Sequence, residues 1–268
     1  MRAAIDLFGS LKYLLLRPFV GQAWARHAAS GLVYRVNLRD VVGRTILRRK
    51  GYEPELTAWL LDGLGEGSDG VFVDIGANIG WFSLQLGRSG KVGRVVAIEP
   101  DAANHTLLQE NIRRNDLGDR IDAIACAAGA GPGLARLHRY KASNLGRHSL
   151  VVDHGHGGNW VVVEAMDTLL ARLGIGNAPI AAIKIDVEGY EPMVLAGAHQ
   201  ALLRADALLV ELSPDLSGQG GLDLPAMLDN IAAAGFVPAI WDQPGPVPGF
   251  NDLRKHPDQV TVGFRKQQ

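Results

Sequence analysis

The sequence has one cysteine, no long apolar run near its start and almost no net charge, and each shortage closes off a class of protein. Cys126 stands alone in an alanine-rich apolar stretch. No intrachain disulfide can form, which fits a reducing, cytoplasmic setting. The thiol is expected to be a small buried hydrophobe, not a nucleophile. The apolar stretch Tyr13–Leu16 is bounded by Lys12, Arg17 and Pro18. It falls far short of the roughly 20 residues that a membrane span needs, and it makes a poor secretory signal. A net charge of −1 leaves no overall basic footprint for nucleic acid, so no nucleic-acid partner is expected. Internal repeats and low-complexity tracts are also lacking, and the oligomeric state leaves no trace.

What is present is an ordered globular chain. At 268 residues with 47% hydrophobic residues, it can bury a sizeable core. The charge is unevenly spread: residues 1–50 hold ten Lys/Arg against two acids, and the remainder holds 17 against 26. Arg17, Arg26, Arg35, Arg39, Arg44, Arg48, Arg49 and Lys50 follow the apolar run. Apolar beside basic suits peripheral contact with an anionic membrane. The preferred reading is a solvated helix and an edge strand packed on the main domain. The chain therefore divides into a basic extension, 1–50, and a main domain, 51–268.

Hydrophobic periodicity sets the elements. The extension reads as a helix over Ala3–Leu16 and a strand or hairpin near Leu32–Leu38. Glu53-Pro54 opens a helix whose apolar face is Leu56, Trp59, Leu60 and Leu64. Strands are expected at Val71–Ile75, Arg94–Glu99, Ile121–Ala125, Ile180–Val187 and Ala207–Leu212. Helices are expected at Ile79–Leu86, Ala102–Asn115, Tyr190–Ala196 and Pro225–Ala234, with Asp167 capping a short helix over Thr168–Leu173. Gly129–Glu164 reads as irregular or a hairpin. Phe236–Trp241 and Gln259–Phe264 form a last antiparallel pair at the sheet edge. Repeated strand–helix units give an α/β fold, doubly wound, with a mostly parallel sheet.

The first crossover carries the chemistry. Asp74-Ile75-Gly76-Ala77-Asn78-Ile79-Gly80 ends a buried strand on an acid, turns on glycine and opens a helix. A dinucleotide loop needs G-x-G-x-x-G, so that backbone can approach a pyrophosphate. Counted from Gly76, those positions hold Asn78 and Trp81. Asp74 would also repel a pyrophosphate. An NAD-dependent oxidoreductase is therefore disfavoured, and a phosphate-free nucleoside such as S-adenosylmethionine fits better. Asp74 would attract its ammonium directly or through water, Asn78 would meet its carboxylate, and Glu99 would accept from its ribose diol. Gly76, Ala77, Gly80 and Pro100 complete the expected cofactor site. A plain tight turn is the alternative reading of the loop, and a binding or docking module without catalysis is the alternative for the whole chain.

Residues 73–81 and 184–191 resemble the two signature blocks of the FkbM-type methyltransferases. Ala97-Ile98-Glu99-Pro100 is similar to that family's ribose-binding segment, and Gly51–Glu55 to the piece leading into its fold. The resemblance runs from about Leu38 to Pro214. It implies a seven-stranded Rossmann-like sheet, S-adenosylmethionine as cofactor, and O-methylation of a sugar, polysaccharide or other natural product. The acceptor would then be a small molecule or glycan. One departure is Ala127–Gly131, which lacks the acid often found there, so adenine contacts would fall to backbone.

In such a fold Asp186 and Glu188 arrive beside the transferring methyl, with Lys184 near both. One acid is expected to act as general base while the other orients the hydroxyl, and Lys184 holds the pair ionised or steers the nucleophilic oxygen. The alternative is a structural ion pair. Glu211 ends the next strand and could join Asp186 in holding a divalent metal, but octahedral sites rarely rest on spaced carboxylates, and no metal is favoured. His154 and His156 lack the further ligands of a zinc site. Asn144 and Ser149 resemble a family stretch that faces the cleft and are expected, with Glu211, to touch the acceptor.

Overall fold

The computed structural model describes residues 10, 11, 13, 21–65, 67, 69–141 and 143–267. The expected helix over Ala3–Leu16 lies almost wholly outside them. A hairpin, β1 (Gln22–Arg26) and β2 (Val33–Asn37), leads into α1 (Val41–Arg49) and α2 (Pro54–Asp62). The central units are β3 (Val71–Ile75), α3 (Trp81–Ser89), β4 (Arg94–Ile98), α4 (Ala102–Arg114) and β5 (Ile121–Ile124). A small sheet of β6 (Ala127–Ala128), β7 (Gly133–His138) and β8 (Gly158–Glu164) interrupts them. The chain continues through α5 (Met166–Arg172), β9 (Ile180–Ile185), α6 (Glu191–Ala196), α7 (His199–Arg204), β10 (Ala207–Leu212), α8 (Pro214–Gln219) and α9 (Leu224–Ala233). It closes with β11 (Phe236–Trp241), α10 (Phe250–Leu253) and β12 (Val260–Lys266).

Seven strands form the main sheet in the order β11-β12-β10-β9-β3-β4-β5. All ladders from β10 to β5 are parallel, and β12 alone runs against its two neighbours. The order reverses beside β3, and open α/β sheets bind ligands at such a switch point, outside the carboxyl ends of their strands. The fold is the expected doubly wound Rossmann-like one. The last strand pair is placed differently from expectation, because β12 inserts between β10 and β11 and leaves only β11 at the edge.

Both faces of the sheet are covered, so its central strands read as unbroken apolar runs. On β3, Phe72 joins the core on one face, and Val71, Val73 and Ile75 join the core on the other. Strand alternation then puts Asp74 on the Phe72 face, where it sits opposite Lys184 in the β3–β9 register.

The described part of the extension shares that first core: Leu32, Tyr34, Val36, Leu38, Ile46 and Leu47 pack with Phe72, Trp81 and Leu84. Side-chain amides of α4 complete the free edge of β2. Asn115 pairs with Val33 through Oδ1 (2.9 Å) and Nδ2 (2.7 Å), and Asn111 pairs with Arg35 in the same way (2.6 and 3.4 Å). Residues four apart on a helix stand one turn apart, so two asparagines meet two residues on one side of a strand. Asp40 caps α1 by accepting from Val42 and Gly43.

Gly129–Glu164 takes the hairpin form: β7 and β8 pair antiparallel, and β6 joins β8 to complete a three-stranded sheet. One local expectation is corrected. Asp167 lies inside the first turn of α5, and its carboxylate accepts from the backbone of Gln200 and Ala201 in α7. The short helices α7, α8 and α10 were not expected. No described helix is long and apolar enough to cross a membrane.

Candidate active site

The cleft lies over the carboxyl ends of β3, β4, β9 and β10 and has a volume of about 310 Å3. Its floor is the loop after β3. Gly76 turns with φ +75°, and a Cβ there would stand 1.8 Å from the carbonyl oxygen of Asp186. Only glycine lets the two strand ends approach so closely. Asn78 is also left-handed, at φ +51°. Its N–H donates to Glu99 Oε2 (2.8 Å), while its own buried Oδ1 has no partner. An orphaned buried acceptor aimed from a cleft wall is a place for a donor from a ligand.

Glu99 is 5% exposed and lines the cleft. Its Oε1 accepts from the Asp101 N–H (2.9 Å), so the two oxygens are held by two backbone donors, and each keeps a second lone pair. Burial raises its pKa to about 7, against the pull of those two bonds. Gly76, Ala77, Asn78 and Pro100 line the same cleft.

Gly80 and Asp74 do not. Gly80 packs under Leu108 and Leu84, where a Cβ would clash at 2.5 and 2.7 Å. Asp74 is fully buried. Its Oδ2 accepts from the Ser83 N–H (3.0 Å) and hydroxyl (2.5 Å), and its Oδ1 lies 3.7 Å from Lys184 Nζ. Direct contact of Asp74 with a ligand ammonium is therefore corrected: the carboxylate anchors α3 and Lys184. Burial raises its pKa, with Lys184 and Ser83 acting in the other direction.

Trp81 lines part of the cleft wall, its ring stacked on Tyr34 and its Nε1 donating to Thr57.

The second half of the cleft holds three acids. Lys184 Nζ donates to Asp186 Oδ2 (3.0 Å) and to the Gly76 carbonyl (3.1 Å). Burial alone would lower the Lys184 pKa, but Asp186 and Asp74 more than offset it, so the ammonium stays charged. Asp186 has 30% of its side chain open, against 7% for Glu188. Glu188 is buried, and its backbone is left-handed at φ +51°. Burial first and Asp186 second push its carboxyl up to about 7. Glu211 is raised well above the ordinary carboxyl range by burial, then by Asp186 and Glu188. One oxygen from each of Asp186, Glu188 and Glu211 lies within 4.8 Å of the others. That group contains no histidine or cysteine.

The left-handed turn at Glu188-Gly189 is held from below. The buried Ser149 hydroxyl donates to the Glu188 carbonyl (2.7 Å), and the buried Ser217 hydroxyl donates to the Gly189 carbonyl (3.0 Å). Non-glycine residues in this region persist only where surroundings fix them. Ser149 is therefore a support beneath the site, not the expected acceptor contact, and it does not line the cleft. Replacing Ser149 by Ala strands the Glu188 carbonyl and removes the acceptor of the Val151 N–H (3.1 Å). The expected result is a loss of about 2 kcal/mol, read as a lower midpoint in thermal denaturation. An unchanged midpoint would show that the hydroxyl holds nothing.

Asn144 does line the cleft, in the loop that also brings Leu145, Arg147 and His148 to its rim. Asp40 Oδ1 accepts from the Leu145 N–H (2.7 Å) and ties that loop to the extension. Burial lowers the His148 pKa, which keeps the ring neutral. His154 stacks edge-on against Tyr140, and neither it nor His156 belongs to a potential metal-binding group among the described residues.

Tyr52, Arg147 and Gln259 are wall residues that the sequence reading did not single out. Only Tyr52 carried a signal, as part of the segment Gly51–Glu55. Its neighbour Glu53 sits at φ +41° with a pKa raised to about 7 by burial and Asp186.

Comparison with known proteins adds a family. Residues 74–238, more than half of the chain, match the model of the methyltransferase FkbM domain. A curated relative, methyltransferase sdnD of Sordaria araneosa, is 29% identical over 161 residues, covering 58% of this chain and 53% of that protein. The chain thus spans about half the length of the curated relative it matches. Among solved structures, methyltransferase FkbM from Methylobacillus flagellatus KT is 23% identical, with a TM-score of 0.49, over 80% of this chain and 48% of that one. An O-methyltransferase from Bacillus cereus in complex with SAH is 18% identical, with a TM-score of 0.45, over 80% and 82%.

Proposed function

The chain belongs to the methyltransferase FkbM domain family, and from that premise we propose that it transfers the methyl of S-adenosylmethionine to a hydroxyl of a sugar, polysaccharide or other natural product. The observation that carries this reading is the pairing of Glu99 with the left-handed Gly76–Asn78 loop at one end of the cleft and Asp186 at the other. The first half suits a phosphate-free nucleoside. Glu99 retains lone pairs for two ribose hydroxyls, and the orphaned Asn78 Oδ1 can accept from the ammonium.

When bound, S-adenosylmethionine supplies a methyl carbon on a positively charged sulfur, already an excellent leaving group. The remaining work falls to the chain. Asp186 accepts the proton of the acceptor hydroxyl, because it is paired with Lys184 and open to the cleft. Lys184 fixes the unused geometry of that carboxylate by bridging it to the Gly76 carbonyl. Glu188, held by Gln259 and lying 3.5 Å from Arg147, orients the acceptor, and Asn144 closes the cleft from the opposite side. The acceptor is a small molecule or glycan. The single buried cysteine suits a reducing cytoplasm, where we place the protein.

The test is incubation with methyl-labelled S-adenosylmethionine and a panel of hydroxylated glycans and natural products. Label in an acceptor together with S-adenosylhomocysteine supports the proposal. Cofactor that binds but yields neither product across the panel speaks for a binding module without catalysis.

A further inference from the structure

Because β12 runs against the other strands, its start, not its end, lies at the rim where the parallel strands finish. Leu212 pairs with Val260 in that register, so the residue before Val260 arrives beside Ser213, just past the end of β10. That residue is Gln259. It lies outside the residues that match the family model.

The Gln259 side chain meets three elements at once. Its Nε2 donates to Glu211 Oε2 (2.7 Å) and Glu188 Oε2 (3.0 Å) and lies 3.2 Å from the Ser213 hydroxyl. Its Oε1 faces Arg147 Nη2 at 3.5 Å. The amide orientation is thereby fixed: nitrogen toward the acids, oxygen toward the guanidinium. A cation bridging the same oxygens would need to stand about 2.0–2.6 Å from each. The amide nitrogen lies within 3.0 Å of both oxygens, so a cation bridging them would meet it.

We propose that Gln259 is the positioning residue of the acid cluster: its amide nitrogen stands where a divalent cation would, and orients Glu188 and Glu211 without metal. A neutral donor with two N–H groups satisfies one oxygen of each acid and leaves the other oxygens for the acceptor. A carboxylate in place of the amide would remove the plug and add a ligand, turning the same cluster into a site for a hard cation.

Titration of Mn2+ into the full chain, followed by the electron paramagnetic resonance of the free ion, tests this. Gln259→Glu is expected to bind one Mn2+ at least about tenfold more tightly than the wild type, and to lose that gain when Glu211→Gln is added. Should Gln259→Glu fail to fold, Gln259→Met keeps the length, removes the donor and is expected to raise Mn2+ affinity in the same direction. Wild type binding one Mn2+ as tightly as either variant would overturn the proposal, since the amide would then be no barrier. The role given to Gln259 rests on reading this cleft as the acceptor site. Mn2+ binding needs neither methyl donor nor acceptor, however, so an absence of methyl transfer would strike the proposed function alone.

Discussion

Replacing Glu99 by Ala is expected to weaken S-adenosylmethionine binding by about 10²–10³-fold, the effect of losing two charge-assisted hydrogen bonds. The carboxylate does two jobs through the same pair of oxygens. It holds the N–H groups of Asn78 and Asp101, and it offers its remaining lone pairs to the ribose. The substitution therefore removes ligand contacts and loosens the left-handed loop that shapes the cleft. Calorimetric titration reads the affinity, and thermal denaturation confirms that the fold persists. An affinity within about twofold of wild type would end the ribose assignment.

The same group gives the wild type a pH signature. The Glu99 carboxyl in the free protein titrates at about 7 because it is buried. Two hydroxyl donors favour its ionised form, so binding depresses that pKa and releases a proton below neutrality. Affinity should be full above about pH 7 and fall as pH drops, approaching about tenfold per unit. Glu99→Ala should lose this slope.

Replacing Asp186 by Asn is expected to leave cofactor binding intact and to lower turnover by about 10²–10⁴-fold, the usual contribution of a positioned base. Asp186 is the acid that combines a charged partner, Lys184 at 3.0 Å, with an open path to the cleft. Glu188 and Glu211 are poorer candidates, because Gln259 occupies an oxygen of each. Asparagine keeps the size and an oxygen for Lys184, so the site should stay in shape. Undiminished turnover in the variant would move the role of base to Glu188.

These two residues were legible in the sequence because their chemistry is local. Glu99 follows the apolar strand β4 and Asp186 follows β9, and the carboxyl ends of parallel strands form the ligand rim of such a sheet. The same logic located Gly76, Asn78, Lys184 and Glu188. It failed for Asp74, whose neighbour Ser83 lies nine residues on, in the first turn of α3, and whose partner Lys184 comes from another strand; only packing shows that the carboxylate points inward. Ser149 failed for a related reason. A loop that does face the cleft at Asn144 turns under Glu188 five residues later, and nothing in the run of residues marks that turn. Asp167 followed the pattern of a helix cap, but tertiary packing gave its carboxylate to a different helix. Helices α7 and α8 are six residues long, too short to show a period. Gln259 had no local sign at all, since its position depends on β12 entering the sheet against the other strands.

The most direct measurement is calorimetric titration of the unmodified chain with S-adenosylmethionine and, separately, with NAD. One site for S-adenosylmethionine, weakened by acid and by loss of Glu99, with no heat from NAD, is the predicted result. No binding of S-adenosylmethionine at millimolar concentration, or a site for NAD over the Gly76–Asn78 turn, would contradict the account at its root.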